Sequence, residues 1–308
     1  MAGWVLNKYL FLIVCSITLI GCNTGTMKKN SGKENTYVIL IGLDGWGSYG
    51  IQNSEMPTVK RMMSNGSYTL TAKNIMPSSS ACNWASMFMG ASPVEHGYTE
   101  WNTQTPIFET PTDEHGFFPT IFALLKDQIP ESKIGYFYEW GGIGYLCPPD
   151  VLDCMEQLPQ LSANKEGVEH IGNYIKNEKP TLTLIVFDEP DHTGHTAGHD
   201  TDAYYAKLTE LDGYIHIIEQ AVKDAGIYND TIFIFSADHG GIGLGHGGDT
   251  PEERQIPFIM YGKNIKKGYN ILSSVMIYDI APTIAASFNL ILPDVWIGHS
   301  VNEVYKKE

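Results

Sequence analysis

The 308-residue sequence is poor in positive charge. It contains 20 lysines and arginines against 35 aspartates and glutamates, which gives a formal net charge of −15. Proteins that bind nucleic acid through its phosphate backbone need a basic surface. We therefore expect no general nucleic-acid binding. Hydrophobic residues make up 43% of the chain, which is enough for a sizeable core.

Cysteine is also scarce, with five residues in the whole chain. Cys15 and Cys22 lie in the N-terminal segment, and Cys82 has no obvious partner. Cys147 and Cys154 flank a short loop that a disulfide would close in an oxidising compartment. The sequence does not give the Cα separation that a bridge requires, so both states of this pair stay open.

Long apolar runs are absent except at the N-terminus, where "MAGWVLNKYLFLIVCSITLIGC" begins the chain. Its apolar run is too short to span a membrane comfortably and is typical of a signal peptide. The run ends in Leu19-Ile20-Gly21-Cys22, which resembles the lipobox of bacterial lipoproteins, where the cysteine is lipidated. The alternative is a cleaved signal with an incidental cysteine.

From this resemblance we expect a signal peptide at residues 1–21 and a flexible tether at 22–35, followed by one domain at 36–308. The protein would be exported and held at the membrane, in the periplasm or at the cell surface, by a lipid on Cys22.

Apolar, strand-like runs alternate with helical patterns in the rest of the chain. The runs are TYVILIGLD from Thr36, KIGYFYEW from Lys133, TLTLIVFDE from Thr181, TIFIFSAD from Thr231 and IPFIMYG from Ile256. Several are apolar on both faces, as buried parallel strands are. The alternation predicts an α/β fold with a mainly parallel central sheet and helices on both faces. Ligands bind such sheets beyond the carboxyl ends of the strands.

Three of the predicted strands end in carboxylates: Asp44, the pair Asp188 and Asp191, and Asp238, which precedes His239. A single carboxylate at such a place is often only a turn or capping residue. Several converging carboxylates would repel one another, and a bound divalent cation removes that repulsion. The set therefore predicts a metal site.

Histidines accompany these carboxylates. His246 follows His239 across a glycine-rich loop, which is able to fold tightly. In "FDEPDHTGHTAGHD" the pairs Asp188/His192 and Asp191/His195 have the same spacing, so position alone does not choose between them. Mixed histidine and aspartate ligation suits zinc, with other divalent ions as alternatives.

A candidate nucleophile lies in "NIMPSSSACNWASMFMG". Serines precede a predicted helix, whose N-terminus favours an anion. A serine at this place is most often a cap, but metal coordination is able to activate it. Cys82 is a rival nucleophile.

The motifs resemble those of the alkaline phosphatase superfamily, most closely its type I phosphodiesterase/nucleotide pyrophosphatase branch. The matching motifs are Asp44, Pro77-x-x-Ser80-x-x-Asn83, HGY at His96, EPDHTGH, DHG and HGG. The resemblance implies a metal-dependent phosphoric ester hydrolase with an alkaline phosphatase-like fold. The branch has a threonine nucleophile in a motif with a second proline, whereas this chain has Ser80 and, at that proline's place, Cys82.

Carried over by position, the resemblance implies two divalent metal ions, usually zinc, with Ser80 between them. One ion would be held by Asp191, His195 and His246, and the other by Asp44, Asp238 and His239. Asn102 is the nearest match to the family's phosphate-holding asparagine, although it lies one residue further along. His192 and His199 are then expected to be exposed or to support the ligands, and His96 to be structural.

Several functions are compatible with these motifs. Phosphodiester hydrolysis is the main hypothesis, and phosphomonoester hydrolysis or phosphoethanolamine-type transfer are alternatives. A lipoprotein that only binds metal is the non-enzymatic alternative. Sulfatase activity is disfavoured, because "SSACNW" lacks the proline and arginine that sulfatases of this superfamily need.

Aromatic residues accompany the proposed site, whereas cations do not. Trp84, Phe88, Tyr98 and Trp101 lie in this part of the sequence, without lysine or arginine beside them. A diester carries less charge than a monoester and has an additional organic group. The composition therefore favours a diester, although each aromatic residue is also compatible with core packing.

Overall fold

A computed structural model of the protein describes residues 35–307. The expected signal peptide, the lipidated Cys22 and the tether up to residue 34 lie outside the described residues, so the division of the chain into these segments stays a prediction. Within residues 35–307, no helix is both long enough and apolar enough to cross a membrane.

The centre of the molecule is an eight-stranded sheet with the order β4-β3-β5-β1-β6-β7-β2-β8. The strands are β1 (Tyr37–Leu43), β2 (Ser67–Lys73), β3 (Ile134–Tyr138), β4 (Cys154–Gln157), β5 (Leu182–Phe187), β6 (Thr231–Ser236), β7 (Gln255–Gly262) and β8 (Tyr269–Asn270). The five strands from β4 to β6 are parallel, whereas β7 is antiparallel to β6 and to β2. The predicted mainly parallel sheet is confirmed.

Ten helices in the described residues flank this sheet. They are α1 (Tyr49–Asn53), α2 (Pro57–Ser64), α3 (Ser80–Met89), α4 (Pro93–His96), α5 (Ile121–Gln128), α6 (Lys165–Glu178), α7 (Asp191–Ala197), α8 (Asp202–Asp224), α9 (Pro251–Arg254) and α10 (Ile280–Ser287). Helices α2, α6 and α7 pack against α8, and α3, α5 and α10 pack against one another. These two groups cover the two faces of the sheet.

The central strands are apolar because helices cover both of their faces. All six residues of β5 and of β6 are buried, as are six of the seven residues of β1. Helix α3 lies close to β1 at Gly42, where a Cβ would lie 2.4 Å from Cη2 of Trp84. The absence of a side chain at Gly42 thus lets Trp84 approach the strand end that carries Asp44.

The three cysteines in the described part of the chain are all free. Cys147 is buried, whereas Cys154 is partly exposed at the start of β4 and its Sγ lies 3.3 Å from Oε1 of Glu156. The structure therefore shows no bridge between Cys147 and Cys154, which the sequence had left open.

Candidate metal centre and active site

Three neighbouring parallel strands bring the predicted carboxylates together. Strand β1 lies between β5 and β6, and its register pairs Leu43 with Phe187 and Gly42 with Ser236. Asp44 directly follows β1, Asp238 follows β6, and Asp191 begins α7 just after β5. The exposed fractions of these three residues are only 2%, 0% and 9%. Burial of three adjacent carboxylates requires some compensation for their charge.

Backbone carbonyl groups fix the orientation of the predicted histidines. The Nδ1–H groups of His239, His246 and His195 donate to the carbonyl oxygens of Gly240, Ser78 and Leu244 over 2.9, 2.8 and 2.9 Å. A carbonyl oxygen accepts hydrogen bonds but never donates them, so Nδ1 carries the proton in each ring. Nε2 of each neutral imidazole is then free to bind a metal ion.

The ligand atoms form two adjoining clusters. In the Asp44 cluster (Asp44, Asp238 and His239), Nε2 of His239 lies 3.5 Å from Oδ1 of Asp44 and 3.3 Å from Oδ2 of Asp238. In the Asp191 cluster (Asp191, His195 and His246), Nε2 of His195 lies 3.1 Å from Oδ2 of Asp191, and Nε2 of His246 lies 3.8 Å from Oδ1.

These separations are close to those of ligands that share one ion. Two atoms at tetrahedral positions about 2.05 Å from zinc lie about 3.4 Å apart. The clusters adjoin because the rings of His239 and His246 stack with centroids 3.7 Å apart. His195 is the most exposed member, with 44% of its side chain accessible. The ligand atoms that all lie within 4.8 Å of one another are those of Asp44, Asp238 and His239, and those of Asp191, His239 and His246. His195 adjoins the second group through its contact with Asp191.

The electrostatics of the Asp44 cluster favour a cation. Burial, followed by the charges of Asp238 and Asp191, raises the pKa of Asp44, and burial followed by the charge of Asp191 raises the pKa of Asp238. Burial, followed by the nearby His246, lowers the pKa of His239 to about 3. This imidazole is therefore neutral, as a metal ligand must be.

Unpaired oxygen atoms in the two clusters also fit metal binding. Oδ1 of Asp44, Oδ1 of Asp191 and Oδ2 of Asp238 are buried and have no hydrogen-bond partner. Buried polar atoms are normally paired, so three unpaired carboxylate oxygens in one place require an explanation. A set of aspartates and histidines with these properties fits two divalent cations, and zinc suits such mixed ligation.

Ser80 lies beside the Asp44 cluster as the first residue of α3. Its hydroxyl donates to Nε2 of His239 over 3.3 Å, and the residue is 9% exposed. The N-terminus of the ten-residue helix α3 carries a partial positive charge that favours an oxyanion. Ser80 therefore has both the position and the local field that a nucleophile needs.

Asn83 holds the loop that precedes Ser80. Its Oδ1 accepts from the backbone N–H of Ile75 over 2.7 Å. The two hydrogens of its Nδ2 are shared among the carbonyl oxygens of Ile75, Pro77 and Ser79, which lie 3.1, 2.9 and 2.9 Å away. Asn83 is fully buried. One side chain therefore satisfies backbone groups along the whole loop and fixes where α3 begins.

Cys82 does not compete with Ser80 for this place. Its Sγ is directed at the carbonyl oxygens of Ser79 and Pro77, over 3.0 and 3.4 Å. Burial, followed by the charge of Asp238, raises the pKa of the thiol to about 12. A thiol must ionise to act as a nucleophile, so Cys82 is inert.

A cavity of about 510 Å³ opens over the two clusters. It is lined by Ser79, Ser80, Trp101, Trp140, Asp188, Asp191, His192, His195 and His246. The rings of Trp101 and Trp140 stack with centroids 6.3 Å apart and an interplanar angle of 24°. These lining residues include two tryptophans and no lysine or arginine.

Sequence reasoning was only partly right about the residues around this cavity. Of the four aromatic residues selected, Trp101 lines the cavity, whereas Trp84, Phe88 and Tyr98 are buried in the core. Trp84 nevertheless contributes to the site, because its Nε1–H donates to Oδ2 of Asp44 over 3.2 Å.

Asn102 and His96 differ sharply in their environments. Asn102 is exposed and is not one of the residues that line the cavity, so the structure does not support its phosphate-holding role. His96 is fully buried, with Nε2 3.0 Å from Oγ of Ser86 and Nδ1 accepting from the N–H of Tyr98 over 3.1 Å. It packs within the fold, away from both clusters.

Sequence reasoning missed Trp140 as a residue of the site, and it left open whether His199 is exposed or supports the ligands. Trp140 follows β3, and its position after a strand end was a usable signal. His199 is only 4% exposed and faces Asp191. The spacing of Asp191, His195 and His199, four residues apart each time, was a signal for one helical face. Helix α7 ends at Ala197, and the following turn still brings His199 to the cluster.

The mainly parallel sheet with helices on both faces, and the two Asp/His clusters at the carboxyl ends of its strands, fit the architecture of the alkaline phosphatase type. The model of the type I phosphodiesterase / nucleotide pyrophosphatase family matches residues 38–247, which is more than half of the chain. The protein belongs to this family, within the alkaline phosphatase superfamily.

Individual relatives are distant. The chain is 34% identical to phosphopentomutase of Clostridioides difficile over 134 residues, which are 42% of this chain and 32% of the relative. It is 20% identical to human bis(5'-adenosyl)-triphosphatase ENPP4 over 229 residues, 71% of this chain and 51% of the relative. The chain thus spans about half or less of the length of these curated relatives.

A solved structure of human ENPP5 shares the fold. It superposes with a TM-score of 0.70 at 14% identity, covering 88% of this chain and 100% of that chain. At this identity the likeness establishes the architecture, while the chemistry has to be argued from the residues of the site.

Proposed function

We propose that the protein is a two-metal phosphodiesterase that uses Ser80 as its nucleophile. The observation that carries this proposal is the position of the Ser80 hydroxyl, which lies at the N-terminus of α3 and 3.3 Å from Nε2 of His239. The Asp44 cluster lies beside the serine, and the Asp191 cluster adjoins it. Zinc is the ion that the donor set favours.

The residues of the chain have separate roles in this reaction. The bound ions would neutralise charge on the phosphoryl group and favour ionisation of Ser80 and of water. Ser80 loses its proton to solvent, its Oγ attacks phosphorus, and the bond to the leaving-group oxygen breaks, so that the first alcohol departs with a proton taken from solvent. Phosphorus is then joined to Oγ and still carries the second ester group. Water loses a proton and attacks this phosphorus, and the P–Oγ bond breaks, which releases a phosphate monoester and restores Ser80 after protonation of Oγ. The partial positive charge at the N-terminus of α3 stabilises negative charge near Oγ.

The cavity favours a diester with an aromatic or other flat apolar group. Trp101 and Trp140 offer stacking surfaces, and Trp101 is 59% exposed and open to a ligand. A monoester dianion carries one more negative charge than a diester, and no lysine or arginine among the lining residues compensates for it. The two tryptophans and the missing cations therefore support the same substrate class.

The nucleophile is tested by comparing Ser80→Ala with Cys82→Ala. We expect Ser80→Ala to lower kcat for an aryl phosphodiester by at least about 1,000-fold, because the hydroxyl of Ser80 contacts the proposed metal ligand His239. Its metal content should equal that of the wild type. Cys82→Ala should keep most of the activity. A fully active Ser80→Ala protein, or phosphate trapped on Cys82, would refute the assignment.

The substrate class is tested with matched aryl diesters and monoesters that share one leaving group. We expect a higher kcat/KM for the diester and free alcohol as the product, not transfer to an added acceptor alcohol. A clear preference for the monoester would make the protein a phosphomonoesterase. Predominant formation of the transfer product would make it a transferase.

We also propose that the enzyme is an exported lipoprotein anchored through Cys22, on the basis of the lipobox-like sequence Leu19-Ile20-Gly21-Cys22. Mass spectrometry of protein from an exporting host should show a lipidated N-terminal cysteine, and Cys22→Ser should release the protein from membranes. An unmodified Cys22 in the exported protein contradicts this proposal.

A further inference from the structure

His199 is a buried histidine at the site that has no role in the chemistry above. None of its side chain is accessible to solvent. Its backbone N–H donates to the carbonyl oxygen of Gly243 over 2.7 Å, and its Nδ1–H donates to the same oxygen over 3.2 Å. This is the arrangement found at His195, His239 and His246, in which a carbonyl group fixes the proton on Nδ1. With the proton on Nδ1, the imidazole of His199 has the lone pair of Nε2 available for a ligand.

This Nε2 atom faces the Asp191 cluster. It lies 3.4 Å from Oδ1 of Asp191, and neither atom has a hydrogen-bond partner among the described residues. Two atoms with lone pairs repel each other when they face one another in a dry site. The 3.4 Å between Nε2 of His199 and Oδ1 of Asp191 matches the distance of about 3.4 Å between two ligand atoms of one tetrahedral zinc ion. A cation between the two atoms removes the repulsion and satisfies both.

The space for the His199 ring is formed by the two segments that carry the other ligands. A Cβ on Gly194, which precedes His195, would lie 2.3 Å from the ring, and a Cβ on Gly241 would lie 2.3 Å from it as well. Glycine at both positions is therefore required for the ring to lie where it does. The close fit holds Nε2 toward Asp191, since the ring has no room to turn away.

We propose that His199 is a further nitrogen ligand at the Asp191 cluster, which would then offer three imidazoles and one carboxylate to its ion. The inference rests on the metal binding in the proposed function, but it does not depend on the substrate or on Ser80. It makes the two clusters unequal, because the Asp44 cluster has one imidazole and two carboxylates.

Metal affinity of purified full-length variants tests this role. His199→Ala removes the ligand, and His199→Gln keeps a side chain that donates a hydrogen bond but replaces the imidazole. His216→Ala is the matched control, since His216 is an exposed histidine on α8. Each protein is titrated with Zn²⁺ in competition with a chromophoric chelator, and the visible spectrum of its Co²⁺ form is recorded.

We expect both His199 variants to bind one of the two ions at least about 100-fold more weakly than the wild type, beyond the roughly 10–100-fold that a supporting residue contributes. The Co²⁺ spectrum should change in both, and His216→Ala should match the wild type. Unchanged affinity and spectrum in His199→Ala would overturn the inference. Wild-type affinity in His199→Gln would also overturn it, because His199 would then act by hydrogen bonding to Asp191. A wild-type protein that takes up no metal would instead refute the proposed function itself.

Discussion

Two clusters of acidic residues and histidine in this molecule have similar geometry and opposite electrostatics. The Asp44 cluster is buried, whereas the outer cluster, formed by Glu114, His115 and Asp127, is near the surface, and the ligand atoms of each lie within 4.8 Å of one another. In the outer cluster, Nδ1 of His115 lies 2.7 Å from Oδ2 of Asp150 and Nε2 lies 3.1 Å from Oδ1 of Asp127.

The partner of Nδ1 and the degree of burial decide what each histidine does. Hydrogen bonds to Asp150 and Asp127 raise the pKa of His115 to about 9, so this ring is an imidazolium that pairs with both carboxylates. Burial lowers the pKa of His239 to about 3, and its Nδ1 donates to a carbonyl oxygen. The outer cluster therefore contains a cation of its own, whereas the Asp44 cluster has no cationic side chain. Proximity of ligand-type residues alone does not identify a metal site.

The largest expected difference is between Asp238→Asn and Asp127→Asn, which make the same change in the two clusters. Asp238→Asn should reduce bound zinc from about two ions per chain to about one and abolish most turnover, since one carboxylate ligand is lost. Asp127→Asn should keep both ions. Elemental analysis after reconstitution measures this directly, and equal metal loss in both variants would show that the outer cluster also binds metal.

The melting temperature of Asp238→Asn, measured with and without zinc, separates a metal-binding role of Asp238 from a packing role. In metal-free protein the change removes one of several buried like charges, so the melting temperature should equal or exceed that of the wild type. With saturating zinc the order should reverse, because ions that bind the folded state stabilise it by mass action. A variant that is less stable than the wild type in both states would indicate a packing role for Asp238.

A smaller effect is expected from Asn83→Ala compared with Asn102→Ala. Loss of the Asn83 amide leaves several buried backbone groups unpaired, which should reduce the free energy of unfolding by about 1–3 kcal/mol. Displacement of the loop before Ser80 should lower kcat roughly 10- to 100-fold. Asn102 is exposed, so Asn102→Ala should change neither property by much. A large rise in KM for Asn102→Ala would restore its predicted substrate-binding role.

The smallest effect is expected in the outer cluster, from His115→Gln. Because the pKa of His115 is raised in the folded state to about 9 from 6.5, its contribution to stability is complete below pH 6.5 and is lost as the pH rises through 9. The contribution of an exposed pair is about 0–1 kcal/mol. Urea unfolding of zinc-saturated wild type and variant between pH 6 and 10 should show the two curves converging toward high pH. A gap that stays constant with pH contradicts the ion pair.

Much of the fold was predictable because the central strands are covered on both faces and therefore read as continuous apolar runs. All five strand-like runs are strands in the structure. Strands β2, β4 and β8 lie outside these runs. β4 and β8 are only four and two residues long, and β2 alternates exposed with buried positions at the antiparallel side of the sheet.

The sequence predicted those site residues that come just after an apolar strand. Asp44, Asp191 and Asp238 were found because each comes just after an apolar strand, and parallel strands bring their carboxyl ends together. The burial of His199 between Gly194 and Gly241 was not predictable, since it depends on how a loop folds over α7. Trp84 was misjudged for a related reason. Its ring reaches Asp44 only because it fits over Gly42.

Every role assigned above depends on two divalent ions bound by the buried aspartates and histidines. To measure this binding, the full-length protein is prepared metal-free and titrated with Zn²⁺ in a calorimeter, and the melting temperature is recorded at each step. We expect uptake of about two ions per chain, with each ion raising the melting temperature. A protein that takes up no zinc, and whose melting temperature is the same with and without the metal, would contradict it.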